Sequence, residues 1–157
     1  MGTQGRSGDA GDNVVRTQQN PPDVSVVILN WNGRAMLRDL LRSIDAHHDG
    51  LSVQTIVSDN ASTDGSAEMV ASEFPHVTLL RNLSNLGFAR GNNVGAAAAS
   101  GRYLLFLNND MVVRPGAFAK LVETLEAHPE YSAVGPKLIG GDGRPQRTAR
   151  NLVTLAR

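Results

Sequence analysis

Asn108 and Asp110 are the side chains best suited to bind a metal ion, and they follow the apolar run Tyr103–Leu107. In a strand, residues i and i+2 point to the same face, so both side chains could reach one ion. A carboxylate and an amide carbonyl are hard oxygen ligands, which suit Mg²⁺ or Mn²⁺ shared with a diphosphate. The same residues could instead form a polar strand end that opens a turn toward Pro115. Their spacing alone leaves both interpretations open.

Asp59 is a second candidate, because it ends the apolar run that contains Ile56 and Val57. An unpaired carboxylate in a buried run would cost free energy, so we expect Asp59 to bind a ligand. Asp64 is different, since the sequence Asp64-Gly65-Ser66 is more typical of a helix start than of a catalytic element.

Amide and glycine residues follow two further apolar runs. Asn30 and Asn32 come after the first run, and Asn85 and Gly87 come after the third. All four are also ordinary turn residues. If the runs are parallel strands, their loops open on one edge of the sheet, beside helix N-termini that attract anions. These loop residues together therefore predict a binding surface for a phosphorylated ligand at that edge.

The elements that must position these residues alternate between short apolar runs and amphipathic stretches. We predict strands over residues 24–29, 53–57, 77–80 and 103–107, and helices over 34–47, 64–74, 88–99 and 116–127. A short strand over 131–134 and a loop or hairpin over 137–147 could follow. The alternation predicts an α/β fold with a mainly parallel sheet and helices on both faces. In such folds, ligands bind beyond the carboxyl ends of the strands, where the strand order reverses.

The length of 157 residues allows one domain with a real core, which we assign to residues 23–157. Residues 1–22 are polar and rich in glycine, so we interpret them as a disordered tail, or alternatively as a flexible linker. No apolar stretch reaches about 18 residues and no secretory segment precedes the domain. We therefore expect a cytoplasmic location, with peripheral association at the inner face of the membrane as an open alternative.

Several other functions are disfavoured by what the sequence lacks. Fifteen basic residues balance fifteen acidic ones, and no basic run is interleaved with aromatic residues, so nucleic acid is not an expected partner. There are no cysteines for thiolate chemistry. The sequence has no dinucleotide-binding glycine motif after the first strand, no phosphate-binding P-loop, and neither a zinc-protease nor a serine-hydrolase motif.

Four ordered blocks resemble the inverting family 2 glycosyltransferases: Val24–Gly33, Ile56–Ser66, Asn85–Asn93 and Tyr103–Asp110. The resemblance covers roughly residues 23 to 150. The variant seen here resembles the rhamnosyltransferase-like subgroup, in which the aspartate-x-aspartate signature often begins with asparagine, as Asn108 does here.

The resemblance implies a GT-A fold, a UDP- or dTDP-sugar donor, Mg²⁺ or Mn²⁺, and a glycan or lipid-linked acceptor in cell-surface polysaccharide synthesis. Asp110 would bind the metal with Asn108, and Asp59 would accept a hydrogen bond from the N3–H of a pyrimidine base. The nucleotide-sugar site implied by the resemblance consists of Asn30, Asn32, Asp59, Asn85, Gly87, Arg90, Asn92 and Asn109. The metal would stabilise the departing diphosphate.

Two departures from the family pattern limit these expectations. Asn108 replaces the first signature aspartate, which lowers the negative charge around a metal. No residue matches the family's general base, which lies in the acceptor-binding half, so we expect a C-terminally incomplete domain. The alternative is a non-catalytic nucleotide-sugar-binding module that needs a partner chain.

Overall fold

A computed structural model describes residues 20–146 of the chain. In that range strands and helices alternate: β1 Val24–Asn30, α1 Arg34–Ala46, β2 Val53–Asp59, α2 Ser66–Glu73, β3 Thr78–Arg81, α3 Gly87–Ala97, β4 Tyr103–Asn108 and α4 Ala117–Ala127. The strands form one sheet in the order β3-β2-β1-β4, and every neighbouring pair is parallel. The predicted α/β class is confirmed.

The central strand β1 fixes the geometry of the sheet edge. It pairs with β2 on one side and β4 on the other, which fits its nearly continuous apolar sequence. Strand order reverses between β1 and β4, because the chain passes from β1 outward to β3 before returning. The register sets Asn30 opposite Asp59 and Leu29 opposite Asn108. The carboxyl ends of β1, β2 and β4 therefore lie side by side.

One face of the sheet packs against α1, α2 and α4. Helix α1 buries a stripe at helical spacing, and its members Leu37, Leu40, Leu41 and Ile44 are at most 2% exposed. The same cluster contains Ile28 from β1, Met69 from α2 and Phe118 from α4. Burial of each such side chain contributes about 1.5–3 kcal/mol, so this layer is the main stabilising core.

The opposite face is covered by α3, which approaches the sheet through its glycines. A β-carbon at Gly91 would overlap the side chain of Leu29, and one at Gly95 would overlap that of Val27. The spacing i, i+4 places both glycines on one side of the helix, so its backbone can lie directly on β1. Helices thus cover both faces, as predicted.

Helix α2 begins at Ser66, two residues later than predicted. Asp64 accepts hydrogen bonds from the backbone N–H of Ser66 at 3.0 Å and from that of Arg34 at 2.9 Å. Burial alone would raise the pKa of Asp64, but these bonds and one from the Ser66 hydroxyl outweigh burial and hold that pKa below its ordinary value. Asp64 therefore stabilises the starts of two helices, which confirms its interpretation as a helix-start residue.

The last described segment contains one wrong prediction and one confirmed one. Residues 131–134 form no strand, because this segment pairs with no strand of the described sheet. The predicted hairpin is present, since Ile139 and Pro145 form an antiparallel bridge and the Gly140 N–H donates to the Arg144 carbonyl at 2.8 Å. Residue 147, the last of the predicted hairpin, lies outside the described residues.

The predicted tail, residues 1–22, lies outside the described range except for 20–22. In that remainder, the carbonyl of Pro22 accepts a hydrogen bond from the Arg102 N–H at 2.9 Å. Among residues 20–146, no helix is long and apolar enough to cross a membrane.

Candidate functional site

Asn30, the last residue of β1, is the centre of the site. Its side chain is fully buried, at 0% exposure. Its amide nitrogen donates to Asp59 Oδ1 and to Ser62 Oγ, both at 3.1 Å. Its amide oxygen accepts from Asn109 Nδ2 at 2.8 Å. The side chain thus connects the ends of β1 and β2 with the turn after β4, and it is directed inward.

Asp59 lies beside Asn30 and is only 3% exposed. Besides the bond from Asn30, its Oδ2 accepts from the backbone N–H of Ser62 at 2.9 Å. Each carboxylate oxygen therefore has a protein donor, which offsets the free energy of burying the charge. Both oxygens retain acceptor capacity, because a carboxylate oxygen can accept more than one hydrogen bond.

The loop after β1 is held against the loop after β2. The Asn32 N–H donates to Ser62 Oγ at 2.9 Å, and Asn32 Oδ1 accepts from the Thr63 N–H at 2.8 Å. Asn32 has a φ of 53°, a left-handed conformation that asparagine adopts more readily than most residues. The neighbouring Trp31 is 59% exposed at the same edge.

Asn60 joins the end of β2 to the start of α3. It is 1% exposed, and its Nδ2 donates to Asn85 Oδ1 at 3.2 Å and to the Gly87 carbonyl at 3.3 Å. Asn85 Oδ1 also accepts from the Gly87 N–H at 2.9 Å, while Asn82 Nδ2 donates to Asn60 Oδ1 at 2.9 Å. Asn85 and Gly87 thus form the exposed entry to α3, with a φ of 76° at Gly87.

The two helical site candidates, Arg90 and Asn92, lie on different faces of α3. Arg90 is exposed to solvent. Asn92 is 8% exposed, and its Nδ2 donates to the Phe88 carbonyl one turn earlier, at 2.9 Å. Residues two apart on a helix point in nearly opposite directions, so the two cannot share one contact surface.

The end of β4 presents the metal candidates. Asn108 is the last strand residue, and Asp110 lies in the following turn, which is closed by a bond from the Met111 N–H to the Asn108 carbonyl at 3.3 Å. Both side chains are exposed, whereas Asn109 between them turns back to Asn30. No group of three or more acidic or histidine side chains able to hold a metal occurs in the described range. A carboxylate and an amide oxygen are the ligands this turn can offer.

Ser62 and Asn60 were missed as site residues by sequence reasoning. Both belong to the block that follows β2, and serine and asparagine are so common in turns that their type is a weak signal. Asn60 is buried and Ser62 half-buried, and their contacts with Asn85 and Asn30 join residues 25 and 32 positions apart. A polar residue that directly follows Asp59 was the available signal for Asn60.

Comparison with known proteins identifies the family. Residues 25–155 match the family described as Glycosyl transferase family 2. The chain belongs to this family. The chain is 30% identical over 128 residues to the succinoglycan biosynthesis protein ExoO of Rhizobium meliloti, covering 80% of this chain and 36% of that protein. It is 28% identical over 116 residues to the N-acetylglucosaminyl-diphospho-decaprenol L-rhamnosyltransferase of Mycobacterium tuberculosis, covering 67% of this chain and 38% of that enzyme.

Solved structures of glycosyltransferases share the fold. TarS 1-349 of S. aureus superposes with a TM-score of 0.60 at 19% identity, covering 68% of this chain and 33% of that one. The mannosyltransferase PcManGT from Pyrobaculum calidifontis, solved with GDP-Man and Mn²⁺, gives a TM-score of 0.61 at 24% identity and the same coverage. These likenesses confirm the GT-A fold of the family 2 domain. The chain spans little more than a third of the length of the relatives named here.

Proposed function

We propose that this chain is the donor-binding part of a glycosyltransferase that moves a sugar from a UDP- or dTDP-sugar to an acceptor hydroxyl with inversion. The observation that carries the proposal is the meeting of three strand ends through one side chain, since Asn30 contacts both Asp59 and Asn109. This places a buried carboxylate beside the turn that carries Asp110, at the edge where parallel sheets bind ligands.

The nucleoside would lie over the loops that follow β1 and β2. Asp59 has acceptor capacity left for a pyrimidine N3–H, while Asn32 and Trp31 form the exposed rim beside it. Asn85, Gly87 and Arg90 at the start of α3 are exposed and would lie along the diphosphate and the sugar. TarS has been solved with UDP and with UDP-GlcNAc, which supports a nucleotide-sugar at this kind of site.

The residues after β4 suit a divalent cation by their chemistry. Mg²⁺ and Mn²⁺ take oxygen ligands, and Mg²⁺ is commonly held by one or two carboxylates together with substrate phosphates. Asp110 supplies an exposed carboxylate and Asn108 an exposed amide, so the two would hold the ion jointly with the diphosphate. When bound, the cation supplies Lewis-acid stabilisation of the leaving diphosphate.

The role of the chain's own residues is to bind and orient the donor. Asp59 and Asn32 would fix the nucleoside, and Asp110 would fix the diphosphate, which leaves the far side of the sugar open to the acceptor hydroxyl. No described residue is assigned as the general base. Relatives in succinoglycan and putative teichuronic acid biosynthesis support a cell-surface polysaccharide as the product class, and a named rhamnosyltransferase supports rhamnose as the sugar. The cytoplasmic location stays a prediction.

Calorimetry with UDP and dTDP, in Mn²⁺ and in EDTA, tests the proposal directly. We expect one of the nucleotides to bind in Mn²⁺, and Asp110→Ala to weaken that binding about tenfold or more, because the cation loses its carboxylate ligand. Glu123→Ala, which removes an exposed carboxylate from α4, should leave binding unchanged. Absence of binding, or equal binding by the Asp110 variant, would contradict the site assignment.

A second candidate is a nucleotide-sugar-binding module that acts only with a partner chain. It is favoured by the outward face of β4, where Leu104 and Phe106 are 45% and 49% exposed. Transfer activity that appears only after a second purified chain is added would support it. Transfer by the isolated chain would exclude it.

A further inference from the structure

The polar atoms of the Asn30 side chain are almost fully engaged within the protein. A primary amide has two N–H groups, and both are occupied, by Asp59 Oδ1 and by Ser62 Oγ. The amide oxygen accepts from Asn109, and the side chain has no exposed surface. A nucleotide could contact Asn30 only by displacing these partners.

We infer that Asn30 is a positioning residue, which couples the base-binding carboxylate of Asp59 to the metal-binding turn Asn108–Asp110 and does not itself contact the nucleotide. The inference rests on the proposed donor-binding function and assigns Asn30 a different role from its neighbour Asn32. The amide nitrogen of Asn30 orients Asp59, and its amide oxygen holds the side chain of Asn109 inward.

The geometry explains why the amide nitrogen and the amide oxygen of Asn30 affect different parts of the donor. Asp59 needs a fixed rotamer if one oxygen is to face a base, and the donors from Asn30 and the Ser62 N–H provide it. At the amide oxygen, the hydrogen bond donated by Asn109 to Asn30 directs the Asn109 side chain away from solvent. Asn108 and Asp110 on either side of it are the exposed ones.

Gly33 leaves room for the contact between Asn30 and Asn109. A β-carbon at Gly33 would overlap Asn109 Nδ2 and lie 2.9 Å from Asn30 Oδ1, so only glycine leaves room for the pair. The short side chain of asparagine offers two N–H donors and a carbonyl acceptor, as these three contacts require. Aspartate has the same shape, but when ionised it cannot donate to Asp59 and would repel it.

Asn30→Asp is therefore the decisive substitution, and Ser25→Ala is its matched control. Ser25 is also fully buried on β1, where it donates to Gln54 Oε1 at 2.5 Å and accepts from the Gly101 N–H at 2.8 Å, at the opposite end of the strand. Both variants lose buried hydrogen bonds. Asn30→Asp alone alters the carboxyl edge.

The experiment measures the Kd of UDP and of dTDP in Mn²⁺ and in EDTA, with the thermal midpoint of each variant. We expect Asn30→Asp to weaken binding about tenfold or more under both conditions, because the orientation of Asp59 does not depend on the metal. Asn109→Ala should weaken binding in Mn²⁺ and leave the Kd in EDTA unchanged. Ser25→Ala should lower the thermal midpoint without changing either Kd.

Three outcomes would overturn the inference. The first is binding by Asn30→Asp equal to that of the unsubstituted chain, while Asp110→Ala weakens it, which would leave the proposed function intact. The second is an equal loss in Ser25→Ala and Asn30→Asp, which would reduce Asn30 to a stabilising residue. The third is no nucleotide binding by the unsubstituted chain, which would overturn the proposed function as well.

Should Asn30→Asp fail to fold, Ser62→Ala and Asn109→Ala decide the matter, since each removes one partner of the amide. Ser62→Ala is expected to weaken binding in both Mn²⁺ and EDTA, and Asn109→Ala in Mn²⁺ alone. Unchanged affinity in both variants would overturn the inference.

Discussion

Gly91 of α3 lies against the side chain of Asn60 at the end of β2, so closely that a β-carbon at Gly91 would stand 3.0 Å from Asn60 Oδ1. The same β-carbon would overlap Leu29 of β1. Because Asn60 also contacts Asn85 and Gly87, the packing of α3 on the sheet and the shape of the candidate site share one contact point.

Gly91→Ala is expected to destabilise the fold and to weaken nucleotide binding. Overpacking costs about 1–3 kcal/mol, and the better helix propensity of alanine offsets about 1 kcal/mol of it. Gly95→Ala would overlap Val27 in the same way, and the three atoms nearest to its β-carbon all belong to Val27, so it should lose similar stability and keep its affinity. Urea unfolding and calorimetry measure the two effects, and equal affinity losses in both variants would argue against a specific role of Gly91.

Asn108→Asp should tighten metal-dependent nucleotide binding about threefold to tenfold, because a second carboxylate adds negative charge next to the cation. The Kd of UDP or dTDP is measured as Mn²⁺ is titrated. Ala127→Glu adds the same charge at the other end of β4, where Glu126 contacts Arg102, and should have no effect. Unchanged metal dependence in Asn108→Asp would remove Asn108 from the metal site.

Trp31 should report donor binding by fluorescence. It is the only tryptophan in the chain and is 59% exposed at the edge where Asn30 and Asn32 lie. A nucleotide that covers this loop should change the emission of Trp31 and saturate at the Kd found by calorimetry. In Asp110→Ala, the change in Trp31 emission at a given nucleotide concentration in Mn²⁺ should decrease in parallel with the affinity. Constant emission at saturating nucleotide would place the ligand away from this loop.

Asp49 gives a pH-dependent contribution to stability. Hydrogen bonds from the N–H groups of Gly116 and, more weakly, Ala119 and Phe118 hold the pKa of Asp49 below its ordinary value of 3.8, although its small burial opposes them. A carboxyl group whose pKa is lowered by folding stabilises the fold above its unfolded pKa and loses that effect as the pH falls through the folded pKa. This carboxylate thus stabilises the start of α4 at neutral pH.

Asp49→Asn should therefore cost about 0.3–1 kcal/mol near neutral pH, and the difference should shrink as the pH falls below about 3.8. Asparagine tolerates the φ of 56° at this position, so the substitution isolates the charge. Urea unfolding of both proteins across this pH range provides the measurement. A difference that stays constant with pH would show that the carboxylate charge is not the cause.

The sequence by itself determined the architecture and indicated the sheet edge to which we assign the proposed site. Buried runs such as β1 and the apolar stripe of α1 are local periodic patterns, and their alternation leaves little choice but a parallel sheet covered by helices. The sequence also indicated Asp59 as a site residue, because an unpaired carboxylate at the end of a buried apolar run would cost free energy. Element ends were less accurate, since the start of α2 depends on the contact between Asp64 and Arg34.

Only the tertiary structure decided which side chains at that edge are exposed and which are held by hydrogen bonds within the protein. Asn30, Asn92 and Asn109 are of one residue type, yet the first is buried and engaged, the second bonds its own helix, and the third turns back to β1. Residues 131–134 have strand-like composition but pair with no strand of the described sheet. The physical reason is the same in each case: a polar side chain or an extended segment takes its direction from hydrogen-bond partners, and those of Asn30 lie 29 to 79 positions away in the chain.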